Sequence, residues 1–412
     1  MFLYLVESGL RGGDACFIPR TFGFLQVCRR WNEVGVNFPR LWSSWVAGAN
    51  KAWPLFNSRS KDTPLSLSWR RRLPSSARQP LMDPAISKRI RQLDFSGTSD
   101  QLAYFLGAFN SSPPSNVSSI RLQITRHDDR EPRERLARLL SASFPKLSTL
   151  NIGNFLPDLS SPLFTTSKLT SLKFFLPYEV EGHYTLARFS QLLQQHPNLQ
   201  RLDLNSAAIP LPGTSEGLVS FSLPRLVDLR LHGMKNDILG FIDLIGMSSP
   251  LHNVIIHFDH VPWFTVPALA EAMEKIVVAY YDSQSLDHPR KIHSLTVSSP
   301  SSGLHLAFDA RSRTAPPSNF KLKFAWIHQL EYESMVEETF DLLPSKDIQD
   351  FAVEGLPLTH RMFEKMKELS HLRISHQDTL TIGRAVDALS LRNRGASTAS
   401  TTVTLNHLHT YR

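Results

Sequence analysis

The chain has 412 residues, 42% hydrophobic and 10% aromatic, the composition of a folded protein of two or three ordinary domains or one long repeat array rather than of a disordered segment. Its two cysteines, Cys16 and Cys28, exclude a disulfide framework and point to a reducing compartment; neither has a histidine nearby in sequence to complete a zinc site. The net charge of +8 is unevenly placed: residues 1–90 carry 14 Lys/Arg against 5 Asp/Glu, and the rest carries 31 against 32.

Residues 1–6 are apolar, but the run stops at Glu7 and lacks a basic flank, so it is not expected to act as a signal peptide. No uninterrupted apolar run approaches membrane-spanning length; 276–281 is one of the longest. The expectation is a soluble, intracellular protein, cytoplasmic and/or nuclear, with no membrane partner. The sequons at Asn110 and Asn116 are expected to carry no glycan.

Phe24, Val27, Cys28, Trp31 and Val34 recur at helical spacing and run into a proline-marked turn, Phe38-Pro39-Arg40-Leu41-Trp42-Ser43-Ser44-Trp45. The pair Val27-Cys28-Arg29-Arg30-Trp31 and Pro39-Arg40-Leu41-Trp42-Ser43-Ser44 resembles the second half of an F-box, in the version found in the large F-box families of mushroom-forming fungi. The usual Leu-Pro-x-Glu opening is absent, and Met1-Phe2-Leu3-Tyr4-Leu5 resembles the middle of the first F-box helix. The resemblance implies a partial, small all-α F-box-like module over residues 1–50 that docks on a Skp-type adaptor and its cullin complex. Phe24, Val27, Cys28, Trp31, Leu41 and Trp42 would form its docking surface or core. The plainer reading makes Trp31, Leu41 and Trp42 core residues of a small helical cap.

Residues 51–89 form a basic Pro/Ser/Arg-rich connector with one strand in Pro64-Leu65-Ser66-Leu67-Ser68-Trp69. Arg70-Arg71-Arg72 and Arg78, with five of the seven tryptophans in residues 1–90, suit phosphate contact and base stacking. No RNP, zinc-finger or helix-turn-helix signature accompanies them, so no nucleic-acid partner is expected.

From residue 90 one pattern recurs: apolar, two residues, apolar, one residue, apolar. It begins at Ile90, Val117, Leu147, Leu169, Leu199, Leu226, Leu251, Ile292, Ile348 and Leu369, with Leu322-x-x-Ala325-x-Ile327 as a weaker copy. Successive starts up to Leu251 lie 27, 30, 22, 30, 27 and 25 residues apart. Such a period marks a repeat array. Amphipathic stretches at 102–109, 136–140, 186–193, 238–245, 269–280, 335–343 and 362–366 predict intervening helices. Prolines before several strands, as in Phe144-Pro145, His196-Pro197 and Leu223-Pro224, end those helices.

The expected fold is therefore α/β: over 90–376 a parallel sheet with outer helices, resembling an irregular leucine-rich-repeat solenoid, then an end segment, 377–412, with a final strand near 403–408. Strand alternation buries the last two apolar positions of each copy and turns the residues between them to the concave face. That central column reads Asp94, Arg121, Asn151, Lys173, Asp203, Arg230, Ile255, Thr296, Ala352 and Arg373, with Gln123, Phe175, Asn205, His232, His257 and Ser298 flanking it. At a strand spacing of ~4.8 Å, Asp94 neighbours Arg121 and Asp203 neighbours Arg230. Arg121, Lys173, Phe175, Arg201, Asp203, Arg230 and His232 are the candidate target-binding residues.

Catalytic signals are lacking. No Walker loop, Gly-x-Gly-x-x-Gly or His-Glu-x-x-His occurs. Gly213-Thr214-Ser215-Glu216-Gly217 matches a nucleophile elbow but follows Pro210-Leu211-Pro212 in a connecting loop. His257-Phe258-Asp259-His260 cannot converge on a metal from a strand, since His260 faces away from the other two. His232 and His257 point the same way on adjacent strands, an arrangement that suits pH-sensitive binding. No catalytic residue, metal or cofactor is expected. The implied function is the substrate-recognition subunit of a Skp–cullin–F-box ubiquitin ligase holding an unknown target protein; the alternative is a repeat scaffold with a degenerate F-box and no ligase role.

Overall fold

The computed structural model describes residues 28–46, 53–69, 84–102, 114–126, 143–165, 168–176, 184, 186–206, 209, 221–246, 251–259, 294–298, 305–312, 318–325, 337, 340–341, 343, 345–354, 360–375 and 402–406. It is a mixed α/β protein with a large, mostly parallel sheet and few helices, divided into two compact units, Met1–Ser171 and Leu172–Arg412.

The first unit runs α1 (Arg29–Val36), a 3-10 turn (Pro39–Trp42), β1 (Ser44–Val46), α2 (Trp53–Ser60), β2 (Leu65–Trp69), α3 (Pro84–Ser87), β3 (Ile90–Thr98), β4 (Ser119–Arg126), β5 (Thr149–Gly153) and α4 (Pro162–Thr165). Strands β1 to β5 pair in chain order, every pair parallel. Their register joins Trp45, Leu67, Leu93, Ile120 and Leu150 into one row, and Trp69, Phe95, Leu122 and Ile152 into another. All nine side chains are buried. This is what alternation at period two produces when each copy of the pattern is placed in the same register.

The sheet starts earlier than the sequence predicts. Residues 1–50 are expected to be helical, yet Ser44–Val46 is a strand paired with β2. Trp and Val suit a pleated surface, and Trp45 packs edge-on against Trp53 at 4.6 Å and Trp69 at 5.4 Å between ring centroids. The strand expected at Leu65–Trp69 is present.

The second unit contains β6 (Ser171–Leu176), which starts at the boundary, α5 (Leu186–Gln194), β7 (Arg201–Ser206), β8 (Phe221–Ser222), β9 (Asp228–Met234), α6 (Lys235–Leu244), β10 (Ile245–Gly246), β11 (Asn253–Asp259), β12 (Ser294–Ser298), β13 (His305–Ser312), β14 (Ser318–Ala325), β15 (Asp350–Glu354), α7 (His360–Lys365), β16 (His371–Ser375) and β17 (Thr402–Asn406). Its main sheet has the order β6-β7-β9-β11-β14-β13-β12-β15-β16-β17, while β8 and β10 form a separate parallel pair. Leu202, Leu229 and Val254 align, as do Leu204, Leu231 and Ile256, and all six are buried.

Here the expectation of an unbroken parallel array fails. The strand beside β11 is β14, not β12, and β13 runs antiparallel to both β12 and β14. The weak copy at 322–327 is misplaced as well, since the strand is Ser318–Ala325. The cause lies in short links. Only residues 299–304 and 313–317 separate these strands, and parallel neighbours need a crossover of about a dozen residues. Helices at α5, α6 and α7 meet the expectations for 186–193, 238–245 and 362–366. Those at 136–140 and 269–280 fall outside the described residues, 102–109 is described only at 102, and 335–343 only at 337, 340, 341 and 343.

A tight turn precedes several strands. The first apolar residue of these copies donates its N–H to the carbonyl three residues earlier: Leu147 to Phe144 (3.0 Å), Leu199 to His196 (3.0 Å), Leu226 to Leu223 (3.1 Å) and Leu369 to Met366 (3.4 Å). The accepting residue is buried in every case. A hydroxyl ladder supports the first-unit turns: Ser118, Ser148 and Thr170 each donate to a carbonyl of the preceding strand segment, at 3.1–3.3 Å.

Candidate functional site

The N-terminal motif builds a small aromatic core. Cys28 caps α1 from an extended conformation without a side-chain bond and is exposed. Trp31 is half-buried, and Leu41 and Trp42 are buried. The Trp42 indole N–H donates to the carbonyl of Gly35 at 2.9 Å, closing the turn between α1 and Pro39. Its ring meets Phe56 edge-on at 5.4 Å, and the Arg59 guanidinium lies 4.5 Å from the ring centroid on its face. Phe24 and Val27 lie outside the described residues. Leu41 and Trp42 of the motif thus face the protein's own interior, while Val34 on α1 is 53% exposed.

Basic residues near this core serve structure. Arg89 donates to Ser60 Oγ (2.6 Å), Asn57 Oδ1 (3.0 Å) and the Thr63 carbonyl, tying α2 to the entry of β3. Partial burial lowers its pKa, and the Asp62 carboxylate opposes that shift.

On the polar positions of the first-unit strands, Ser68, Asp94, Arg121 and Asn151 stand in register. Arg121 is exposed; its Nε lies 3.9 Å from Asp94 Oδ1, and its Nη2 donates to Gln123 Oε1 at 3.3 Å. Ser66 donates to Gln92 Oε1 at 3.1 Å one row earlier.

The other six candidates belong to the second unit. Lys173 Nζ donates to Asp203 Oδ2 at 2.6 Å. Asp203 and Arg230 are register partners. Arg230 grips Asp228 through both Nε (3.1 Å) and Nη2 (3.2 Å), and Asn253 Nδ2 donates to the same carboxylate at 2.7 Å. The bond to Asp228 raises the Arg230 pKa further, against partial burial and with help from the fields of Asp228 and Asp203. Arg201 is exposed at the start of β7, and Phe175, 39% exposed, is an apolar ring turned to solvent. His232 and His257 are register partners, half-buried, with rings stacked at 4.1 Å and 8°.

The structure therefore brings together Lys173, Asp203, Arg230 and His232 and adds Asp228, Asn253 and His257 around them. Asn253 escapes sequence reasoning because it lies between the first two apolar positions of its copy, Leu251 and Val254, outside the column between the last two. Each exposed ion pair is worth about 0–1 kcal/mol, so the row's importance lies in its pattern rather than its stability.

A scan against protein-family models matches none of them, and a search of curated proteins finds no relative. Among the described residues no cluster of three or more His, Cys, Asp or Glu is arranged for a metal, and no helix is long and apolar enough to cross a membrane. The Ser215 elbow match and His260 lie outside the described residues.

Proposed function

We propose that the chain is the substrate-recognition subunit of a Skp–cullin–F-box ubiquitin ligase. In this reading α1 and the Pro39–Trp42 turn belong to a partial F-box that docks on the adaptor. The strands from β3 onward form an irregular leucine-rich-repeat-like solenoid, and its polar rows hold the target protein. The observation that carries the target-binding part is the register. Buried Leu202, Leu229 and Val254 fix the strands, so Lys173, Asp203, Arg230 and His232 stand as an ordered array beside solvent-facing Phe175. Arginine and exposed aromatic residues are common anchors of protein interfaces.

A second reading, a repeat scaffold with a degenerate F-box and no ligase role, draws on one observation: Leu41 and Trp42 are consumed in the protein's own core. Affinity capture of targets by the wild type and by an Arg201→Glu/Arg230→Glu variant tests the binding face. Loss of capture with retained fold supports it; capture that survives, but disappears on deleting residues 58–84, moves recognition to the basic segment.

A further inference from the structure

Cations gather at the turns by which the first unit's chain enters its strands. Lys88 and Arg91 flank the start of β3, Lys146 lies just ahead of β5, and Lys168 lies just ahead of β6. Asn116, in the turn ahead of β4, ties three of them together. Its Nδ2 donates to the Lys88 carbonyl at 2.8 Å, its carbonyl accepts from Arg91 Nη1 at 2.9 Å, and its Oδ1 accepts from Lys146 Nζ at 2.7 Å. The Lys168 N–H donates to the Leu147 carbonyl at 3.2 Å, which sets the next turn beside that of Lys146. Lys88, Lys146 and Lys168 are exposed and Arg91 is half-buried. Every acceptor on these four is neutral. Glu33 is paired with Arg29, Asp94 lies beside Arg121, Asp158 accepts from Ser160, and the field of Asp62 acts on Arg89. No carboxylate among the described residues bonds to Lys88, Arg91, Lys146 or Lys168.

We propose that this basic edge binds an acidic segment of a partner protein, an extended run of Asp and Glu side chains. The proposal does not depend on the receptor reading, which uses the strands' polar rows and not their entry turns. Arg91 and Lys146 are held to one asparagine with no anion between them, and each spends one N–H there. An arginine has five N–H donors and a lysine three, so both keep donors for a carboxylate, and such charge-assisted bonds are the stronger kind. The cations stand on successive turns ~4.8 Å apart, a line rather than a disc. Side chains on one side of an extended peptide recur every ~6.6 Å, so a run of carboxylates can follow that line. Single-stranded nucleic acid fits less well, because it binds by stacking bases on aromatic rings as well as by charge. The exposed large apolar side chains among the described residues are Val34, Leu55, Phe175 and Met234, and none lies at these turns.

The test uses the full chain and fluorescein-labelled oligo-glutamate, with labelled oligo-lysine and oligo-thymidine as comparisons, read by fluorescence anisotropy. Oligo-glutamate should bind at low salt, weaken as salt rises, and bind more tightly than oligo-thymidine; oligo-lysine should not bind. Lys146→Glu/Lys168→Glu should lower oligo-glutamate affinity on the order of tenfold or more, since like charges then face each other. Lys88→Glu/Lys168→Glu, which breaks no side-chain bond, should also lower it and serves if the first variant fails to fold in thermal melts. Lys146→Arg/Lys168→Arg should retain binding. Lys346→Glu/Arg373→Glu removes the same charge from exposed positions of the second unit and should bind as the wild type does. Absence of oligo-glutamate binding at low salt overturns the proposal. So does an equal loss in the second-unit variant, unchanged binding in the folded first-unit variants, or oligo-thymidine binding as tight as that of oligo-glutamate.

Discussion

Removing the Trp42 side chain tests the aromatic core at the start of the sheet. The ring is 3% exposed, so Trp42→Ala loses its burial, its edge contact with Phe56 and the Arg59 face contact. Large aromatic truncations in cores cost ~3–5 kcal/mol. Trp42→Phe separates packing from hydrogen bonding. It keeps most of the ring but loses the N–H donated to Gly35, whose carbonyl retains only the longer bond from the Phe38 N–H at 3.4 Å. That loss costs about 1 kcal/mol, so the Phe variant should fall about 1–2 kcal/mol below wild type once its smaller volume is included. Urea unfolding followed by tryptophan fluorescence is the assay, because five of the seven tryptophans lie in residues 1–90 and report this end. A Trp42→Ala transition within about 0.5 kcal/mol of wild type, the range of a surface substitution, would refute the reasoning. So would a Phe variant as damaged as the Ala variant.

His196 occupies the buried turn position that Phe144, Leu223 and Met366 fill elsewhere, and neither of its ring nitrogens has a partner. Burial lowers its pKa, so the unfolded chain binds the proton more readily; stability should hold above about pH 6.5 and decline as pH falls below it. His196→Leu should flatten that acid limb and gain about 1 kcal/mol at pH 7, read from melts across pH. Gly97→Ala should destabilise by ~1–3 kcal/mol in the same assay, because the new Cβ would stand 2.5 Å from Gln101 Oε1, which accepts the Thr98 N–H, and 2.9 Å from the Phe95 ring. Gly153→Ala meets the Gln123 side chain, with Cγ the nearest atom at 3.3 Å, and should cost less than Gly97→Ala because that flexible side chain can give way. Arg201→Glu/Arg230→Glu should abolish target capture while lowering stability by no more than about 1 kcal/mol, since both side chains are exposed.

The parts legible in the sequence are those governed by the three-apolar pattern. Register follows from it directly: Leu202 pairs with Leu229 and Asp94 with Arg121 because a one-residue slip would turn every leucine outward. The β12–β14 hairpins do not show in the three-apolar pattern, because β13 follows plain alternation instead. Leu306, Phe308 and Ala310 alternate at period two over His305–Ser312, a signal sufficient to find β13. The strand at Trp45 lies within residues 1–50, where the resemblance implies an all-α module, and three residues are too few to show a strand period. Of the site, charge pairing between adjacent strands was legible, but Arg230 turning back along its own strand to Asp228 was not. That choice depends on side-chain reach and on Asn253 holding the same carboxylate from β11.

The most direct measurement mixes the purified full chain with a recombinant Skp-type adaptor and follows complex formation by size-exclusion chromatography and calorimetry. The receptor account predicts a stable complex that persists in Arg201→Glu/Arg230→Glu and is weakened by Val34→Asp on the exposed face of α1. A whole chain that forms no complex with the adaptor would contradict it and leave the repeat-scaffold reading in its place.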